Sequence, residues 1–168
     1  MKPVCTNPQI VSQNGRGANV IIDGIEYVIL DEGWATKYQN NLLDIVPEID
    51  MDQIVSYATD KGVGIILWAG YNAIMNNTEA VCAHYAKMGV KGFKIDFMDR
   101  DDAAMNTFYY NMAEICARHK LMIDYHGCAK PTGLNRTYPN VVNFEAVFGL
   151  EQMKWSKPHV DQMEYDVT

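Results

Sequence analysis

From Tyr27 onward the chain alternates short runs rich in β-branched and aromatic residues with longer amphipathic runs, the pattern of a parallel sheet with helical crossovers. The first run, Tyr27-Val28-Ile29-Leu30, is continuously apolar, as expected for a buried strand, and gives way to polar Asp31-Glu32-Gly33-Trp34. Asp50 is positioned to cap a helix reaching about Lys61, with Ile54, Val55 and Ala58 on one face and Gly62 as the stop. Val63 to Leu67 reads as the next strand and reaches Trp68. Thr78 is expected to cap a helix that carries Val81, Cys82, Tyr85 and Met88 and ends at Gly89, before the strand Gly92-Phe93-Lys94-Ile95-Asp96-Phe97. Asp101 and Asp102 then lead a helix to about Lys120, with Met105, Phe108, Tyr109, Met112, Ile115 and Cys116 at core-facing spacing. Leu121 to Tyr125 and Val141 to Phe144 complete five predicted strands, separated by a turn-rich stretch around Pro131-Thr132-Gly133.

Consecutive strands with helical crossovers fit either a barrel or an open doubly wound sheet. A complete eight-unit barrel takes about 250 residues, and this chain has 168. Residues 1–24 are weakly periodic and interrupted by Gly15, Gly17 and Gly24, and Lys157 to Thr168 carries no strand pattern.

Net charge narrows the partners. With 14 Lys and Arg against 21 Asp and Glu the chain has a formal charge of -7 and no basic stripe to neutralise phosphates, so nucleic acid is not expected as a partner. No apolar run approaches the roughly 18 residues that span a bilayer, and the N-terminus lacks the basic-then-apolar pattern of a signal peptide. Cys5, Cys82, Cys116 and Cys128 include no CxxC pair, which argues against a metal-thiolate or redox site. The sequons at Asn76 and Asn135 are read as chance matches.

In parallel barrels chemistry sits at the C-terminal ends of the strands, which selects Asp31, Glu32, Trp68, Lys94, Asp96, His126 and Glu145 as groups converging on one mouth. Lys94 and Asp96 share a strand face because side chains alternate with a period of two. They are either a structural ion pair filling the interior or a carboxylate nucleophile held ionised by a neighbouring ammonium. A carboxylate nucleophile working with a general acid needs a second carboxyl group that stays protonated near neutrality. Glu145 and Glu151, both among apolar neighbours, qualify, and composition does not separate them. Asp31, Glu32 and Glu145 also suit a hard cation such as calcium. The run Asp99-Arg100-Asp101-Asp102 reads as a helix N-terminus, and His84 and His119 as surface or packing residues. There is no HExxH or HxH spacing for zinc, no Gly-rich phosphate loop after a strand and no GxSxG elbow.

From about Gly24 to Ser156 the sequence resembles glycoside hydrolase family 97. The resemblance is carried by Glu26 to Trp34, by Gly64-Ile65-Ile66-Leu67-Trp68-Ala69, by Gly92 to Asp102, and by His126-Gly127-Cys128-Ala129-Lys130-Pro131-Thr132-Gly133. It implies an α/β fold of the (β/α)8 TIM-barrel type, incomplete, with about five or six βα units in residues 25–168 and a poorly matched segment over 1–24. In the inverting branch of the family a glutamate base directly follows the histidine, where this chain has Gly127; in the retaining branch the aspartate of the Lys-Ile-Asp-Phe strand is the nucleophile, present here as Asp96. Both positions imply a retaining α-glycosidase, with Asp96 as nucleophile and Glu151 as general acid/base. The expected substrate is an α-galactoside or another α-linked oligosaccharide, with α-glucoside as the alternative. The resemblance further implies that Glu145 ligates calcium and that Asp31, Glu32, Lys94, His126 and the ring of Trp68 face the sugar.

The family's N-terminal β-sandwich, final barrel strands and C-terminal β domain have no counterpart in this sequence, so the chain is expected to be a fragment or truncated reading frame. The competing expectation is a catalytically inactive piece that keeps a sugar-binding or self-associating surface, because missing strands leave open sheet edges. An unrelated metal-dependent barrel enzyme is disfavoured by the absent ligand spacing. A periplasmic or secreted location in the parent bacterial enzyme is implied by the resemblance alone.

Overall fold

The computed structural model describes residues 9–14, 17–21, 24–36, 41–147, 149, 151 and 154. The expectation for Lys157 to Thr168 lies outside them. Two strands, β1 (Gln9–Asn14) and β2 (Gly17–Ile21), pair antiparallel in the segment whose sequence shows no clear period. A five-stranded sheet follows, made of β3 (Tyr27–Leu30), β4 (Gly64–Gly70), β5 (Gly92–Asp96), β6 (Met122–Tyr125) and β7 (Val141–Phe144). Every pair in it is parallel and the spatial order is the sequence order. An open doubly wound sheet reverses strand order at a switch point. This sheet has no such reversal, so it is a run of consecutive units of a (β/α)8 barrel.

Helices cover one face. After β3 comes α1 (Met51–Asp60), capped as its sequence predicts: the Asp50 carboxylate accepts the Gln53 N–H at 2.9 Å. Its buried residues are Met51, Val55 and Ala58, one turn apart along a single face. Two helices follow β4, the short α2 (Tyr71–Met75) and α3 (Thr78–Met88). Thr78 does not cap α3. It is the first helical residue, and its hydroxyl donates back to the Ile74 carbonyl at 2.9 Å, while Asn77 holds the cap position. Gly89 ends α3 with φ 108°, a left-handed turn that glycine takes without strain. After β5, α4 (Ala103–Arg118) is capped by Asp102 through the Met105 N–H at 3.0 Å. A single turn, α5 (Leu134–Thr137), lies between β6 and β7.

Period-two alternation sorts the two sheet faces. Ile65, Leu67 and Ala69 of β4, Phe93 and Ile95 of β5, and Ile123 and Tyr125 of β6 belong to one buried cluster with Val55, Val81, Tyr85, Met105, Met112 and Cys116 of the helices. The alternate residues, Trp68, Lys94, Asp96 and Asp124, fall on the opposite face, which in a barrel is the interior. Pairing aligns Trp68 with Lys94, Lys94 with Asp124, and Asp124 with Asn143, giving a polar row across four strands.

Candidate active site

Asp96, 8% exposed, is the one charged or polar residue buried among the described residues, and it ends β5 paired with Gly70 of β4. Burying a carboxylate is costly unless donors replace its water. The fold supplies two, with an imidazole nitrogen close by. The Trp68 indole Nε1 donates to Oδ2 at 3.1 Å and the Phe97 backbone N–H to Oδ1 at 2.7 Å, and His126 Nδ1 lies 3.2 Å from Oδ2. Phe97 takes φ 63°, a costly conformation for a bulky side chain, so the chain turns sharply just after the buried carboxylate.

His126 joins two strands. The same Nδ1 is 3.0 Å from Glu145 Oε2, so Asp96 and Glu145 are tied to one imidazole nitrogen. Backbone bonds fix the arrangement: His126 N–H donates to the Ile95 carbonyl at 2.8 Å and Glu145 N–H to the Tyr125 carbonyl at 2.7 Å. Glu145 Oε2 also accepts the Gly127 N–H at 3.0 Å. A cleft of about 460 Å³ opens beside this cluster, lined by Asp99, Arg100, Gly127, Glu145 and Val147 among others.

Gly127 is confined on both counts that matter for a glycine. Its φ is 55°, and a Cβ there would lie 3.0 Å from Asp96 Oδ1, closer than nearly all carbon contacts.

Lys94 pairs with Asp31, not with Asp96. It shares the face of Asp96, but its Nζ binds Asp31 Oδ2 at 2.7 Å, so its ammonium is committed to the end of β3. Burial is the largest single influence on the Asp31 carboxyl and acts to raise its pKa. The Lys94 hydrogen bond, the Glu32 N–H and the Lys94 and His126 charges together outweigh it and hold the carboxyl below its ordinary value. A depressed carboxyl pKa means the stabilisation is present at neutral pH and is lost only as pH falls below about 4. Glu32 is exposed and makes no side-chain hydrogen bond among the described residues.

Trp68 is 3% exposed, stands edge-on to Phe97 at 5.7 Å and directs its N–H to Asp96, while its carbonyl accepts the Trp34 Nε1–H at 2.9 Å. Glu151 is an exposed turn residue whose carbonyl accepts the Lys154 N–H at 2.9 Å, and no contact among the described residues joins it to Asp96. Asp124, which the sequence reading passed over, lies on the same face as Lys94 and binds Asn143 Nδ2 at 2.9 Å. Its signal was available, since it stands two residues before His126 as Lys94 stands two before Asp96.

Calcium needs about six to eight oxygen ligands. Among the described residues no three His, Cys, Asp or Glu side chains converge as an ion would require. Glu145 offers part of a shell, and these residues alone do not complete it.

The family model for glycoside hydrolase 97 matches residues 21–147. The chain is 65% identical over 145 residues to a retaining alpha-galactosidase of Bacteroides thetaiotaomicron, covering 86% of this chain and 22% of that protein. It is 30% identical over 149 residues to a probable retaining alpha-galactosidase of Streptomyces bingchenggensis, covering 84% of this chain and 23% of the relative. A crystal structure of a beta-arabinopyranosidase superposes with a TM-score of 0.67 at 31% identity, over 78% of this chain and 22% of that one. The chain thus spans somewhat under a quarter of the length of the relatives it matches, and it belongs to glycoside hydrolase family 97.

Proposed function

We propose that this chain contributes the nucleophile-bearing part of a retaining α-galactosidase. The observation that carries the reading is the buried Asp96 carboxylate, held by two hydrogen-bond donors at the C-terminal end of β5, with the imidazole nitrogen of His126 close to both it and Glu145. A carboxylate fixed this way is oriented before substrate arrives, which is what nucleophilic attack on an anomeric carbon requires. Asp96 attacks the anomeric carbon while Glu151 protonates the leaving oxygen, and Glu151 then takes a proton from the water that releases the sugar. Retention asks for a separation of about 5 to 5.5 Å between these carboxyl groups in the assembled site. Lys94 and Asp31 hold sugar hydroxyls at the rim with Glu32, and His126 and Trp68 orient Asp96. Calcium enters as an ion to which this chain gives Glu145, with further ligands from outside it. The periplasmic or secreted location belongs to the same proposal.

The names of the relatives support galactose as the sugar. A β-L-arabinopyranoside is an α-D-galactopyranoside without its hydroxymethyl group, so a site for one ring accepts the stereochemistry of the other. The test is hydrolysis of p-nitrophenyl α-galactoside, α-glucoside and β-L-arabinopyranoside, with and without chelator, by this chain and by the full-length Bacteroides relative. Turnover of α-galactoside with retained configuration, weakened by chelator, is the expected result in a form with a complete site. Preference for α-glucoside, or an inverted product, would overturn the reading.

A second reading has its own observation. Within the five-stranded sheet, β3 and β7 are edges, and Tyr27, Val28 and Ile29 of β3 and Val142 of β7 are all more than 40% exposed. Open parallel edges with apolar side chains seek partners. We therefore propose that the isolated chain self-associates and has little or no activity. Light scattering should give a mass above that of one chain, and a strict monomer at micromolar concentration would count against it.

A further inference from the structure

The helices following β4 and β5 meet at two thiols. Cys82 of α3 and Cys116 of α4 are both fully buried, and their sulfur atoms are 3.8 Å apart. A disulfide needs about 2.05 Å, so the sulfurs must approach by roughly 2 Å, a movement within reach of side-chain rotation and small helix shifts. The helices are already pinned beside them. Glu79, in the first turn of α3, accepts Arg118 Nη2 at 2.8 Å and is 2.7 Å from His119 Nε2, both just beyond Cys116 at the end of α4. These ion pairs bridge the same two helices whose thiols are in contact.

We propose that Cys82 and Cys116 form an oxidisable dithiol whose disulfide staples α3 to α4. The oxidant is a small external disulfide such as oxidised glutathione. One cysteine thiolate attacks it and releases a first glutathione thiol. The second thiolate attacks the cysteine sulfur of the mixed disulfide and releases another, so the two cysteines lose two protons and two electrons and the oxidant gains them. Both thiols are shielded, and the bond with Cys82 together with burial pushes the Cys116 thiol well above its usual pKa. Since the thiolate is the attacking form, closure is slow in the folded chain and fast while the helices are apart. The staple therefore forms during folding in an oxidising compartment. It spans 34 positions of sequence, a loop long enough for a strong constraint on the unfolded chain.

The test refolds the 168-residue chain in a glutathione redox buffer and maps its peptides without reduction by mass spectrometry. A Cys82–Cys116 cross-link with loss of two hydrogens is expected, and the oxidised wild-type chain should melt about 5–10 °C above its reduced form, reversibly with dithiothreitol. The wild-type comparison needs no variant to fold. Cys82→Ala should lose both the link and the oxidant-dependent shift. Free thiols at both positions after oxidative refolding, a link from either to Cys5 or Cys128, or a link that lowers the melting temperature would each overturn the proposal.

Discussion

Replacing Asp96 by alanine should lower kcat for an α-galactoside by about 10³- to 10⁶-fold, in the form of the protein that the hydrolysis assay finds active. The size follows from the role. Under the proposed reading the carboxylate forms the glycosyl-enzyme bond, a step that an alanine side chain cannot perform. The diagnostic is rescue. Small azide ions can enter the space left by the carboxyl group and attack from the same face, so an activated substrate should give the β-galactosyl azide. An α-azide, or a loss of less than tenfold, would remove Asp96 from the nucleophile role. Glu151→Gln should act differently, lowering kcat/KM for poor leaving groups far more than for activated aryl ones, because in the first step only the former need its proton.

The second large effect is on stability. Gly92 opens β5, and a Cβ there would run into the Met122 backbone carbonyl of β6. Main chain within a paired strand cannot move aside, so Gly92→Val should cost roughly 2–4 kcal/mol, a large share of a domain's total. Gly64 is the control. A Cβ there would meet the Tyr27 ring at 2.6 Å and the Lys91 side chain at 2.7 Å, and both can swing away, Tyr27 being 45% exposed on an edge strand. Gly64→Ala should cost under about 1 kcal/mol, and urea midpoints for the two variants would compare them directly. Equal midpoints would mean that the β5–β6 pairing is looser than its geometry.

The five strands were legible because each is a run of β-formers ending in polar groups, and α1 and α4 were legible because an aspartate cap precedes an apolar stripe. Short elements were not. The hairpin of β1 and β2, the turn-length α5 and the five-residue α2 carry too little pattern to show a period. The candidate site divides along the same physical line. Sequence gives the face of a strand, so Lys94 and Asp96 were rightly put together, but it does not give the neighbour across the sheet. That depends on register, and pairing of Leu30 with Leu67 and Trp68 with Lys94 carries Asp31 to the lysine. The indole N–H of Trp68 found Asp96 for the same reason. Cys82 and Cys116 went unread as a pair because no local spacing links residues on two different helices.

Gly127 carries a consequence for how catalytic mechanism can change in this fold. Any side chain there competes with Asp96 Oδ1 for one small volume, so a base grown from position 127 and a nucleophile grown from position 96 are rivals for space. Under the proposed reading, one exchange without the other yields a crowded pocket. A side chain at position 127 would then act first on the orientation of the Asp96 carboxylate, which must give by a few tenths of an ångström to admit it.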